Sequence, residues 1–186
     1  MTQRWAQLAT RSRWSRTTIF RRRLARLSEH RTPLLRAAQF QKALDLYPNA
    51  AVIRASLAWA YAMNRMYPQA LAEYDKIPAQ YKTVAAENQF VAGGLGWVYA
   101  VSGRRTDALK IAQQFRDLSS HSYVDFYQFA SIYAGLGDKD EAFRLLEKGY
   151  AQHSASMPFL GADWFWYGIR SDPRYADLLR RVGLPQ

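Results

Sequence analysis

Apolar and small residues recur at spacings of three and four over residues 90–115, on both sides of a short polar turn. This spacing places them along one face of an α-helix. The first stripe comprises Val91, Leu95, Gly96 and Tyr99. Gly103 follows it and suits the left-handed conformation that ends many helices. The pattern predicts two helices joined by a tight turn, because a second stripe follows at Ala108, Leu109, Ile111, Ala112 and Phe115.

The same pattern occurs twice more along the chain, 34 residues later and 38 residues earlier, and five positions agree in each copy. They are Leu95, Gly96, Tyr99, Gly103 and Ala108 in the middle copy, Phe129, Ala130, Tyr133, Gly137 and Ala142 in the later copy, and Leu57, Ala58, Tyr61, Arg65 and Ala70 in the earlier copy. A single pair of short helices cannot bury its own apolar faces. We therefore expect the copies to stack on one another.

A 34-residue period with small residues and tyrosines in this order resembles the tetratricopeptide repeat, over residues 51–156. The resemblance implies an all-α solenoid of helical hairpins. The sequence departs from the repeat motif at two of its positions. Arg54, Ala92 and Phe126 stand where the motif has tryptophan, and Arg65 stands where the first unit would have the turn glycine.

The predicted organisation has three parts: a basic extension over residues 1–31, a repeat domain over residues 32–156, and an aromatic loop with a capping helix over residues 157–186. The repeat domain divides into a partial unit over residues 32–50 and three units over residues 51–84, 89–122 and 123–156. The earlier copy lies 38 residues from the middle copy, and not 34. These four extra residues predict a longer first helix or a wider turn near residues 78–86. An open solenoid exposes the apolar side of its last unit, so a closing helix is physically expected.

Local signals in the C-terminal third predict where helices begin and end. Asp138 followed by Glu141 is typical of a reciprocal helix cap, and acids in a first helical turn also match the helix dipole. Asp172 before Pro173 predicts another helix start, and Gly183 predicts the end of that helix. We therefore interpret the acids near residue 140 as a cap and not as a metal or catalytic cluster.

Two segments, residues 132–150 and 170–185, are similar to the C-terminal repeat arrays of bacterial multidomain regulators. In those proteins the repeats follow a DNA-binding, kinase or cyclase-like domain. The second segment usually follows an Asp-Pro-Arg-Phe copy, whereas Asp163-Trp164-Phe165-Trp166 stands here in its place. These aromatic residues, with Tyr167, form either a recognition patch or the buried part of a terminal cap.

The resemblance also implies a concave groove lined by the first helices of successive units. Carried over position by position, the groove comprises Val52, Ala55, Trp59 and Met63 from the first unit, Phe90, Gly93, Trp97 and Val101 from the second, and Tyr127 and Ser131 from the third. Trp59 and Trp97 stand at the same position of adjacent units, and two indoles beside small residues are typical of an apolar peptide-binding groove. The alternative is that the N-terminal segment or a C-terminal aromatic residue covers both indoles as ordinary core.

Positive charge is concentrated at the N-terminus. The chain of 186 residues has a net charge of +11, and its first 36 residues hold ten arginines and one acid. The other 150 residues are nearly neutral, with 16 basic and 14 acidic groups. Arg21, Arg22, Arg23 and Arg26 are candidate contacts to the phosphates of nucleic acid or of anionic lipid. The alternatives are a solvated extension and a degenerate helix packed on the first repeat.

Several classes of chemistry find no support in the sequence. Cysteine is absent, which fits a reducing compartment such as the cytoplasm. The three histidines lack metal-ligand spacing, and neither a phosphate-binding glycine loop nor a nucleophile motif occurs. No apolar run is long enough to span a bilayer, and Glu73 and Asp75 are expected on a solvated face. We expect no catalytic residue, metal or cofactor.

The sequence therefore predicts a non-enzymatic scaffold that binds a protein or peptide partner in the groove of its repeats. The alternative is a regulator associated with nucleic acid, in which the arginine-rich segment contacts phosphate while the repeats act as a sensor or an oligomerisation module.

Overall fold

The computed structural model describes residues 34–85 and 87–184. Eight α-helices occur in this part of the chain: α1 (residues 34–46), α2 (Ala51–Met63), α3 (Tyr67–Asp75), α4 (Gln89–Val101), α5 (Arg105–Leu118), α6 (Phe126–Leu136), α7 (Lys139–Ala151) and α8 (Pro173–Val182). Short 3₁₀ turns occur at Ala79–Tyr81, Met157–Phe159 and Trp164–Trp166. The all-α prediction is confirmed for the described residues, which contain no strand. The basic extension, with its candidate arginines, lies outside them.

The helices pack as three successive pairs, α2 with α3, α4 with α5, and α6 with α7. Each pair lies within one of the unit ranges predicted from the sequence. The first helices of the pairs also contact one another, because α4 packs on both α2 and α6. Helix α1 packs on α2, where Ala37 and Leu44 form a small apolar cluster with Leu57 and Ala60. Helix α8 closes the other end by packing on α7.

The turns inside the three pairs share one backbone conformation. Gly103 and Gly137 have φ angles of 83° and 79°, and Arg65 has a φ of 58° at the equivalent position. The predicted left-handed ends at Gly103 and at Gly183, after α8, are therefore confirmed. Arginine adopts this conformation at a steric cost that glycine does not carry.

Both predicted helix starts are capped, but the predicted return bond from Glu141 to Asp138 is not formed, because the Glu141 carboxylate pairs with Arg144 and the Asp138 N–H donates to the Tyr133 carbonyl. The side chain of Asp138 accepts a hydrogen bond from the backbone N–H of Glu141 at 3.1 Å. The side chain of Asp172 accepts one from the N–H of Arg174 at 3.0 Å. Each carboxylate satisfies a donor that the helix itself leaves unpaired, which confirms the structural interpretation of these acids.

Helix α4 is almost completely enclosed, since every residue from Val91 to Val98 is buried. Its glycines permit this close packing. A Cβ atom at Gly96 would lie 2.7 Å from Cδ1 of Ile132 on α6, and a Cβ atom at Gly94 would collide with the indole of Trp59 on α2. Glycine therefore sets the distance from α4 to the helices on either side.

The first two copies of the pattern are separated by four residues more than the last two. The extra residues form a wide connection between α3 and α4. It contains the 3₁₀ turn Ala79–Tyr81. Two side chains hold it in place: Asn88 Nδ2 donates to the Gln80 carbonyl at 2.9 Å, and Gln114 Oε1 accepts from the Val84 N–H at 3.2 Å. The prediction of a wider turn is confirmed.

The prediction that Glu73 lies on a solvated face is wrong. Glu73 is only 8% exposed. Its carboxylate pairs with Arg54 at 2.9 Å and with Lys76 at 2.6 Å. The long side chain of Arg54 lies at a partly buried site, and a charge at such a site requires a carboxylate partner. Asp75 is exposed, as expected.

None of the helices in residues 34–85 and 87–184 is both long enough and apolar enough to cross a membrane.

Candidate functional site

The two tryptophans of the predicted groove lie close together, and an aromatic side chain from the C-terminal part of the chain separates them. The ring centroids of Trp59 and Phe165 are 4.7 Å apart, and those of Trp97 and Phe165 are 5.2 Å apart. Both contacts are edge-to-face. Phe90 also contacts Trp59, at 4.6 Å. The chain itself therefore occupies the space between the two indoles.

The other predicted groove residues are distributed differently. Ala55, Gly93, Tyr127 and Ser131 are buried, Met63 and Val101 are half-buried, and Val52 is exposed. Gly93 faces α6, because a Cβ atom there would lie 2.9 Å from Cβ of Gln128. The Ser131 hydroxyl donates to the Gln128 carbonyl at 2.7 Å, within its own helix. Of the ten predicted residues, Trp59, Met63, Trp97 and Val101 line the two pockets described below.

The segment that enters the groove is residues 163–167, which we call the aromatic segment. Trp166 is fully buried, and its indole N–H donates to the hydroxyl of Tyr127 at 3.0 Å. That hydroxyl in turn donates to Asp163 Oδ2 at 2.6 Å. Tyr127 thus holds the segment at two points. Of the two sequence interpretations, burial in a cap describes Phe165 and Trp166, while Tyr167 is exposed.

A first pocket of about 160 Å³ remains open beside the aromatic segment. It lies between α1, α2 and the segment. Five aromatic side chains line it, Phe40, Trp59, Trp97, Trp164 and Phe165. Arg36, Ser56 and Asp163 contribute the polar groups of its wall. The pocket is therefore mainly aromatic, with one acid and one base.

The charged groups of the first pocket influence each other. Burial raises the pKa of the Asp163 carboxyl, and the hydrogen bond from Tyr127 and the charges of Arg36 and Arg170 oppose that rise. Burial also raises the pKa of the Tyr127 hydroxyl, which keeps it a hydrogen-bond donor. The Arg36 guanidinium lies over the ring of Trp164, with 4.8 Å between its carbon and the ring centroid.

A second pocket of about 280 Å³ lies on the other side of the aromatic segment. Met63, Trp97, Trp164 and Phe165 line both pockets. The remaining wall of the second pocket comes from Val101 and from residues such as Ala134, Gly135 and Tyr167. The two pockets therefore adjoin along one mostly apolar surface.

Five residues of the first pocket were not predicted as site residues: Arg36, Phe40, Ser56, Ala60 and Asp163. No local spacing connects them, because α1 and the aromatic segment are far apart in the sequence. The one available signal was the run Asp163-Trp164-Phe165-Trp166, which replaces the usual Asp-Pro-Arg-Phe copy. This difference did not indicate where the run lies in the folded chain.

In the part of the chain that the structure describes, no group of three or more His, Asp or Glu side chains could hold a metal ion. The arrangement is that of a largely aromatic surface with two adjoining pockets. A comparison with known proteins found no matching family model, no matching curated protein and no matching solved structure. A function for this chain is therefore inferred from the geometry of the two pockets.

Proposed function

We propose that the protein is a non-enzymatic interaction module that binds a segment of a partner protein along the two adjoining pockets. The proposal includes a tetratricopeptide-like solenoid of helical hairpins as its scaffold. The repeated packing of helix pairs supports this arrangement, and so does the left-handed turn at residues 65, 103 and 137.

The observation that carries the proposal is the mostly apolar surface on both sides of the aromatic segment. The volumes of about 160 and 280 Å³ are smaller than the roughly 300–1,000 Å³ of pockets that enclose drug-sized ligands. They suit single side chains that project from a longer chain. Aromatic residues in desolvated pockets also contribute much of the binding energy at protein interfaces.

Met63 offers the sharpest test, because it lines both pockets and is half-buried. A library of displayed peptides would be selected on the full chain, and the affinity of the enriched peptide would be measured by calorimetry. Met63→Glu should weaken binding by about tenfold or more, which corresponds to ~1.4 kcal/mol. A carboxylate there would have to be desolvated against the peptide.

Leu109→Glu is the matched control, since Leu109 is a partly exposed apolar residue on α5 and lines neither pocket. The control should bind the peptide as the unchanged chain does. Equal affinities of both variants would place binding elsewhere on the molecule. A selection that enriches no common peptide sequence would overturn the proposed function.

A second candidate function is regulation associated with nucleic acid, and the observation that favours it is the ten arginines among the first 36 residues. Arg21, Arg22, Arg23 and Arg26 would contact phosphate. Affinity for a mixed-sequence duplex should then fall steeply with salt concentration, because each phosphate contact releases counterions. Replacing all four arginines with glutamine should reduce that salt dependence.

A further inference from the structure

The first pocket combines aromatic walls with a carboxylate, and this combination has a specific ligand chemistry. We propose that it binds an organic cation of the alkylated ammonium type, such as a trimethylammonium group. The inference rests on the proposed function in one respect: it names the group that a partner would insert. It also applies to a free small molecule that carries the same group.

The aromatic walls carry the first part of the argument. Phe165 meets Trp59 at an interplanar angle of 79° and Trp97 at 67°. Phe165 packs edge-to-face between the two indoles, and all three rings line the open pocket of about 160 Å³ together with Phe40 and Trp164. The faces of aromatic rings are electronegative, so a pocket with such a lining attracts a cation, and it does so most strongly where water is excluded.

The carboxylate of Asp163 carries the second part. Its Oδ2 accepts the Tyr127 hydroxyl, which fixes the side chain at the pocket wall. A negative charge beside aromatic faces attracts a cation by Coulomb's law, in competition with Arg36 and Arg170, whose charges already act on this carboxylate. It disfavours an uncharged guest of the same shape, because such a guest would desolvate the carboxylate without compensation.

Arg36 supplies a third, independent observation. Its guanidinium already lies over the face of Trp164, and none of the ion pairs among the described residues involves it. The residue is exposed at the start of α1. An internal cation therefore lies on one wall of the pocket, where it competes with an external one.

The experiment measures the intrinsic tryptophan fluorescence of the full chain during titration with choline and with its uncharged isostere 3,3-dimethylbutan-1-ol. Choline should bind at least about tenfold more tightly than the isostere. Equal affinities would reduce the site to an apolar cavity and overturn the inference. So would the absence of choline binding.

Two substitutions should change the affinity for choline in opposite directions. Asp163→Asn retains the shape and an acceptor for Tyr127 but removes the charge, and it should weaken binding by about tenfold. Arg36→Ala removes the competing cation and should strengthen binding. The reverse pair of results would indicate an anion site centred on Arg36 and would overturn the inference.

Phe40→Leu keeps the inference testable if Asp163→Asn does not fold. Phe40 is half-buried on α1, and leucine retains most of its apolar bulk without the aromatic face. The variant should lose affinity for choline and keep its weak affinity for the isostere. Asp177→Asn is the charge control, because this half-buried acid on α8 pairs with Arg180 and Arg181 and does not line the pocket. Loss of choline affinity in that control would overturn the inference.

Peptides distinguish the source of the cation. A peptide with trimethyllysine should bind more tightly than its unmodified counterpart, and more tightly than choline if the natural ligand is a side chain. If the methylated peptide only equals choline, the site serves a free cation. Enriched library peptides that respond to Met63→Glu, without any choline binding, would overturn this inference and leave the proposed function standing. Choline binding without any enriched peptide would support this inference and overturn the proposed function.

Discussion

Arg65 and Gly103 occupy the same turn in successive helix pairs. The free-energy cost of the left-handed backbone conformation differs between them, because arginine has a side chain and glycine has none. Both have positive φ angles, 58° and 83°. A side chain in this conformation costs about 1–2 kcal/mol. Arg65 is exposed at the edge of the second pocket, and its side chain takes part in none of the ion pairs among the described residues that could offset the cost.

Arg65→Gly should therefore stabilise the fold. The expected gain is at most about 1 kcal/mol, because glycine also makes the unfolded chain more flexible. Gly103→Ala should destabilise it by about 1–2 kcal/mol, although no atom lies within 4 Å of the added Cβ. Urea denaturation of both variants measures the two values. A loss of stability in Arg65→Gly would mean that the arginine side chain makes a contact worth more than the backbone strain.

Residues such as these show which features of the chain were predictable. Gly103, Asp138 and Asp172 act on the backbone within four residues of themselves, so the local sequence was enough to predict their roles. Glu73 was predicted wrongly because its partner Arg54 lies on another helix. Phe40 and Asp163 were missed for the same reason, since only the path of the folded chain brings them to one pocket.

At the scale of the helix, the glycines of α4 determine where its neighbours lie. The 3.6-residue periodicity predicted that α4 exists and where it ends. It did not predict that Gly94 would accommodate the Trp59 indole, because any small residue satisfies the periodicity. The indole is held there by a hydrogen bond from its N–H to the Tyr74 hydroxyl at 2.7 Å.

Gly94→Ala should displace that indole, since the new Cβ would collide with it. Overpacking of this kind costs about 1–3 kcal/mol, and it should also distort the first pocket, which Trp59 lines. Gly168→Ala is the control, because the nearest atom to its Cβ would be 4.0 Å away. Thermal unfolding and near-ultraviolet circular dichroism report the two effects. Equal stability of both variants would mean that α4 can shift to accept the methyl group.

At the scale of the whole molecule, the aromatic segment contacts all three of the helix pairs described above. Phe165 contacts Trp59 on α2 and Trp97 on α4, while Trp166 is bonded to Tyr127 on α6. Neighbouring helices alone would give only contacts between adjacent pairs. The segment adds contacts that span them, and this should make unfolding more cooperative.

Phe165→Ala should cost about 3–5 kcal/mol, as is usual for a buried phenylalanine, and it should broaden the urea transition. Phe159→Ala is the matched control, because Phe159 is 58% exposed and Phe165 only 6%. The control should stay within about 0.5 kcal/mol of the unchanged chain. A sharp transition in Phe165→Ala would contradict the proposed link between the segment and cooperativity.

The late position of Phe165 in the chain also affects biosynthesis. A ribosome synthesises α2 and α4 well before it adds the residue that covers their tryptophans, so the unfinished polypeptide should present two indoles to water and to chaperones. The first pocket gains its last wall only after residue 165 has been translated and has left the ribosome. If this pocket binds choline as proposed, stalled ribosome–nascent-chain complexes should bind choline only when the chain is long enough for residue 165 to have left the ribosome.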